Sequence, residues 1–300
     1  MSMRGATAVG LIAILLWSLL AALTTLSGQI PPFQLVAMSF ALAGALGLVY
    51  LARDRQGLRF LSSVPPGAWA LGVAGLFGYH FFFFLALRSA PAAEANLINY
   101  LWPLLIVLFS ALLPARGGAG GLKWWHVTGA MLGLAGTALI IAGGSGESAE
   151  SVTHTSPWFG YTAALIAAFV WSGYSVANRR FTEVPSASVA GFCLVTSVLA
   201  TVAHLLFEET LWPASTTEWL AAIGLGLGPV GAAFYVWDYA VKHGDIRVLG
   251  AAAYAIPLLS TLLLVALGIA SAEPVLWLAC ALITGGAILA AKEMLFPARK

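Results

Sequence analysis

Charge is what this sequence has least of. Lysine and arginine supply 14 residues and aspartate and glutamate 12, so 9% of 300 positions are charged, against about 25% in an ordinary soluble domain. Twenty-six formal charges cannot coat a water-soluble globule of this length, which excludes a soluble enzyme, a nucleic-acid binder and a disordered chain together. Cysteine is equally scarce. Cys193 and Cys280 both sit in apolar runs, which rules out a disulfide framework or a zinc site and reads as two inert thiols. No Walker A run is present, so this chain does not hydrolyse ATP. A His-Glu-x-x-His motif is missing too. Gly143-Gly144-Ser145-Gly146 has the form of a serine-nucleophile turn. Its serine, however, falls in an acidic stretch with no helix N-terminus at depth to stabilise an oxyanion. The chain is not read as an enzyme.

What is abundant is apolar surface: 60% of the residues are hydrophobic and the mean hydropathy is +0.92. Apolar runs of about membrane-spanning length fall at 6–27, 33–52, 67–87, 92–113, 125–143, 158–178, 187–207, 219–240, 247–270 and 274–291. Turn chemistry separates them, as at Pro31-Pro32, Pro65-Pro66 and Gly117–Gly121. Alternation of the β-barrel kind is absent. The expected fold is therefore an all-α membrane protein of ten transmembrane helices. The first run, behind Arg4, has the look of a signal peptide, but it is long for one and recurs later in the chain.

Alternating ten spans from a cytoplasmic N-terminus puts 13 of the 14 basic residues on the inner side, Arg88 being the exception. Glu94, Glu147, Glu150, Glu208, Glu209, Glu218 and Glu273 collect on the outer side. Basic residues resist translocation, so both termini are expected in the cytoplasm.

Sliding the sequence along itself by 154 residues superposes Trp17-Ser18 on Trp171-Ser172, Arg88 on Lys242, Tyr100 on Tyr254 and Pro103-Leu104-Leu105 on Pro257-Leu258-Leu259. Greasy segments match by chance at Leu and Ala, but not at three distinctive features with one offset. The chain reads as a first five-helix repeat (1–143), an outer linker (144–157) and a second five-helix repeat (158–300). Five is odd, so the copies enter the membrane from opposite sides, the 5+5 inverted-topology repeat of secondary transporters. Pro103 and Pro257 interrupt matching spans and are the expected hinges.

Polar groups in lipid face a bundle interior. Asn96, Asn99, Tyr100 and Pro103 share one helical face, with Trp102 beside it, and Trp171, Tyr174, Ser175 and Asn178 share another. Asp238 can reach Lys242 one turn on, as an interfacial anchor. His80 is the ionisable side chain expected near the bilayer centre. The mid-membrane rings with polar tips are Trp17, Tyr79, Tyr100, Trp102, Trp171, Tyr235 and Tyr254. With His80, Asn99, Tyr174 and Ser175 they form the expected substrate-binding set, in which rings stack on a planar side chain and OH and NH groups meet an ammonium and a carboxylate.

Ten spans, the 5+5 repeat and Trp-Ser in the first helix of each half resemble the drug/metabolite transporter superfamily in its EamA-type arrangement. Within it, Gly78-Tyr79-His80-Phe81 and the run from Glu94 to Leu104 (EANLINYLWPL) resemble the bacterial aromatic amino acid exporters. The resemblance covers nearly the whole chain. It implies an inner-membrane secondary exporter of aromatic amino acids, no cofactor, and a cavity between helices 1, 3, 4, 6, 8 and 9. Export of other small metabolites or cationic drugs on the same fold is the alternative.

Overall fold

A computed structural model describes residues 1–53, 57, 59–112, 122–144, 157–268 and 274–292. Ser145, Arg55, Arg116, Glu147, Glu150, Glu273, Arg299 and Lys300, which entered the charge and motif readings, lie outside the described residues. Among the described residues the chain is helical throughout. Helices α1 (Met3–Ser18) and α2 (Leu20–Leu26) run on from one another, followed by α3 (Pro32–Arg53) and the single turn α4 (Phe60–Ser63). Helix α5 (Pro66–Val73) passes through a π turn (Ala74–Gly78) into α6 (Tyr79–Ser89). Then come α7 (Ala92–Asn99), α8 (Trp102–Phe109), α9 (Trp124–Gly144), α10 (Trp158–Ala177) and α11 (Val189–Phe207). Helix α12 (Thr216–Leu227) passes through a second π turn (Gly228–Ala232) into α13 (Ala233–His243), before α14 (Ile246–Ala252), α15 (Ala255–Ala266) and α16 (Pro274–Ala290).

Seven continuous helical stretches among the described residues are long and apolar enough to cross a membrane. The chain is a multi-pass membrane protein. Its outer face is correspondingly greasy: Leu205 and Leu206 are 71% and 70% exposed, which only lipid tolerates.

Local chemistry explains where the helices start and stop. Ser2 accepts from the Gly5 N–H at 3.2 Å and Ser215 from the Glu218 N–H at 3.2 Å, each satisfying a first-turn donor. Both oxygens of Glu208 accept from the N–H groups of Phe33 and Gln34 at 3.1 Å, so α3 is capped from the end of α11. Pro103 and Pro257 cannot donate to the carbonyls four residues back. The helices break there, between α7 and α8 at Tyr100-Leu101 and between α14 and α15 at Ala253-Tyr254.

The 154-residue offset reappears in three dimensions. The two π turns, Ala74–Gly78 and Gly228–Ala232, are separated by that number, as are α6 and α13, and α3 and the stretch Ser186–Phe207. Packing follows the same symmetry. Counterparts α3 and α11 pack together, as do α9 and α16, while α1 on α13 mirrors α10 on α6. Lipid gives no hydrophobic drive for helix association, so close approach carries it. At Gly129 and Gly286 a Cβ on either residue would strike the other's carbonyl oxygen.

Candidate functional site

Four tryptophans meet where the halves join. Trp17 of α1, Trp102 of α8, Trp171 of α10 and Trp237 of α13 are all buried. Every pair among them is in ring contact, with centroid separations from 5.0 Å (Trp17–Trp237) to 6.4 Å (Trp17–Trp102). Phe234 closes the cluster, 5.9 Å from Trp17 and 5.6 Å from Trp171. Edge-to-face and offset contacts of this kind contribute roughly 0.5–1.5 kcal/mol each beyond area burial. Two indole N–H groups are engaged: Trp17 Nε1 donates to the Pro229 carbonyl at 2.9 Å and Trp237 Nε1 to Ser175 Oγ at 3.1 Å.

A polar notch lies against the Trp171 side of this cluster. Tyr79 and His80 follow the first π turn directly, and Asn99 ends α7 at the proline break. Asn99 Nδ2 donates to Tyr79 Oη at 3.2 Å, and the Tyr79 ring is 5.4 Å from Trp171. Tyr174, 5.3 Å from Trp171, packs over Gly75 in that π turn, where a Cβ would collide with its ring. His80 Nδ1 lies 2.7 Å from the Leu76 carbonyl. A carbonyl only accepts, so Nδ1 carries the hydrogen, and the neutral ring presents Nε2 as an acceptor. Asn99 Oδ1 and Tyr174 Oη are buried with no hydrogen-bond partner among the described residues. An unsatisfied buried polar atom costs about 1–3 kcal/mol, so Asn99 Oδ1, on the side chain bonded to half-buried Tyr79, marks a place suited to a polar guest, while Tyr174 lies towards Asp238 and Cys193.

Trp17, Trp102, Trp171, Tyr79, His80, Asn99, Tyr174 and Ser175 of the expected set are thus in this one region, with Tyr100 at its proline break. Tyr235 and Tyr254 lie elsewhere. Tyr235 donates to the Ala43 carbonyl at 3.0 Å and lines an apolar groove of about 530 Å³ between α3 and α13. Tyr254 is fully buried over Gly133, and its hydroxyl accepts from the Leu104 N–H at 3.2 Å, the donor freed at the start of α8. Trp237 and Phe234 escaped the sequence reading because their counterparts are Phe83 and His80, so the repeat gave no signal there.

The sequence matches the EamA-like transporter family twice, over residues 4–142 and 158–292. The chain belongs to the EamA-like transporter family. Among curated members of that family's kind, it is 51% identical to the aromatic amino acid exporter YddG of Ancylobacter novellus over 97% of this chain and 98% of the relative. It is 27% identical to the protein of the same name from Escherichia coli K12, over 96% and 97%. A solved crystal structure at 50% identity superposes with a TM-score of 0.88, covering 97% of this chain and 99% of the other.

In this EamA-family chain the Asp238–Lys242 pair is no interfacial anchor. Its side chains are 0% and 1% exposed. Lys242 Nζ donates to Asp238 Oδ2 at 2.8 Å and to the Val184 carbonyl at 2.9 Å, while Asn178 Nδ2 donates to Asp238 Oδ1 at 2.6 Å. The segment after α10 folds over the pair and removes it from solvent, which a reading by span ends does not foresee. Among the described residues no group of three His, Cys, Asp or Glu is placed to hold a metal.

Proposed function

We propose that this protein exports aromatic amino acids across the bacterial inner membrane by alternating access. In this reading ten helices cross the bilayer, both termini are cytoplasmic, and two five-helix repeats (1–143 and 158–300), joined by an outer linker (144–157), rock about a midplane site. The observation that carries the proposal is the near-full-length identity to an aromatic amino acid exporter. The notch fits that cargo. A planar side chain lies against Trp171 and Trp102, its ammonium meets the acceptors Asn99 Oδ1 and His80 Nε2, and its carboxylate meets the hydroxyls of Tyr79 and Tyr100, with Tyr174 packed behind Trp171. Ser175 and Trp17 support the wall through their own bonds, and Tyr235 and Tyr254 act as packing residues outside it. Pro103 and Pro257 let the helices bend. The substrate is the small-molecule partner, no cofactor takes part, and one copy suffices.

Purified protein in liposomes is expected to exchange labelled Trp or Phe faster than empty vesicles. A panel including biotin and cationic drugs tests the alternative cargo class. If another class moves and the aromatic amino acids do not, the substrate assignment fails. Single cysteines at Arg55 and Glu147 are expected to label from opposite sides, and labelling from one side overturns the orientation.

A further inference from the structure

The two π turns occupy equivalent positions but do not hold the same hydrogen-bond register. In the first, the Tyr79 N–H, which follows the turn, is shared between the carbonyls of Gly75, four residues back, and Leu76. In the second, the equivalent Ala233 N–H is shared between Gly228, five residues back, and Gly231, and leaves Pro229. The carbonyl it has released is that of Pro229, the counterpart of Gly75. The Trp17 indole N–H takes that oxygen, at 2.9 Å. Trp171, the counterpart of Trp17, makes no such bond to Gly75 among the described residues, where the backbone N–H still holds the oxygen. Ring N–H and backbone N–H therefore alternate on one carbonyl: both turns are wide, but where the indole is bound the closing backbone N–H reaches one carbonyl further back than where it is free.

We infer that the Trp17 and Trp171 indole N–H groups are a reciprocal pair of latches, each selecting the slipped register of the π turn in the opposite half. The inference rests on the alternating-access reading above and names the residues that bias it. Inverted repeats reverse their opening when the halves exchange conformations. In the opposite state Trp171 bonds the Gly75 carbonyl, the Tyr79 N–H slips to Ala74, Trp17 lets go, and the Ala233 N–H returns to Pro229. A wide turn that migrates by one residue re-aims the residue it passes rather than the whole helix. In α6 that residue is Tyr79, next to His80, and in α13 it is Ala233, next to Phe234, so the latch is coupled to the walls of the notch. π turns occur where helices must shift in this way. His80 Nδ1 on Leu76, within the first turn, gives the first half a hold that Phe234 cannot give the second. In this role Trp17 is a positioning residue, acting through its N–H and not through its ring.

The test removes the N–H and keeps a ring. Trp17→Phe and Trp171→Phe are made singly and together in a Cys280→Ala background, Cys193 being fully buried. Spin labels at Leu26 and Trp158 report one end of the bundle, and labels at Arg53 and Arg180 the other. Distances are measured in liposomes without substrate. Losing one net hydrogen bond is expected to change the ratio of end-open states about fivefold, with Trp17→Phe and Trp171→Phe moving it in opposite directions. The double variant is expected to return towards the parent ratio. Shifts in the same direction, or no shift in either variant, overturn the proposal, as does a double variant that adds the effects. If Trp17→Phe fails to fold, Trp171→Phe alone decides, and an unchanged ratio overturns it. The transport assay separates the two claims. Populations that shift as stated in a protein that moves no aromatic amino acid sink the function and leave the latch. Normal transport with unmoved populations does the reverse.

Discussion

At two matched positions the first half of the molecule keeps a polar group available that the second half spends on itself. Tyr100 is half-buried at the rim of the notch, but Tyr254, its counterpart, is fully buried and caps α8. Arg88 has a 45% exposed side chain and a loose 3.9 Å approach to Glu208, whereas Lys242 is sealed against Asp238 and Val184. His80 faces Phe234. On the proposed reading the two copies contribute differently: the first brings Tyr79, His80, Asn99 and Tyr100 to the notch, and the second brings Trp171 while committing Lys242 and Tyr254 to packing. A symmetric frame can exchange conformations, and an asymmetric lining still gives the cargo a defined orientation.

The largest expected test of that division is at the buried ion pair. Lys242→Met strands the Asp238 carboxylate and is expected to cost about 3–5 kcal/mol, seen as a large loss of thermal stability in detergent or of folded yield. Arg88→Met, at the equivalent site, is expected to cost under about 1 kcal/mol. Equal losses would break the comparison. The tyrosines come next. Tyr254→Phe leaves the Leu104 N–H without its partner and is expected to destabilise by about 1–3 kcal/mol, whereas Tyr100→Phe should leave the melting temperature near the parent value and raise KM for transport. Reversed phenotypes would exchange the roles assigned to the halves.

The smallest effect is in acid. Asp245 opens α14 by accepting from the Arg247 N–H at 3.0 Å and pairs with that guanidinium at 2.9 Å, while Pro91 occupies the equivalent place in the first half. Burial pushes the Asp245 carboxyl up, but the hydrogen bonds and charge of Arg247, with a contribution from His126, outweigh it and hold it below the ordinary carboxylate range. A depressed folded value means stability that is present above the unfolded pKa, about 3.9, and lost as pH falls through the folded value. Asp245→Asn is expected to lose that modest stability near neutrality and, with it, to flatten the acid limb of a stability profile below about pH 4. An unchanged acid limb would remove Asp245 from the account.

Much of this was legible in the residues. Apolar run length anticipated the seven stretches that are long and apolar enough to span among the described residues, and the offset of 154 anticipated the equivalence of Trp17 with Trp171 and of the two proline breaks. Asn99 and Tyr79 came together because polar side chains in lipid seek one another. The misses have separate causes. A π turn inserts one residue into a helix, so a face counted at 3.6 residues per turn loses its register across it. Tyr235, just past the second π turn, was assigned to the notch but rotates out against α3, while Phe234 and Trp237 rotate in. Burial of Asp238 and Lys242 was hidden for another reason, since it depends on the path of the chain around Val184.

That ion pair also bears on how the chain is made. Asp238 and Lys242 sit one turn apart on a single helix, so they can neutralise each other before any neighbour exists. A charged residue costs most at the centre of an inserting helix and less towards its end, where this pair sits in the stretch Thr216–His243. Two ions already paired leave the ribosome as a segment of zero net charge. Asn178 and Val184 precede the pair in the chain and are waiting when it arrives. Order of synthesis thus delivers the lock after its keeper.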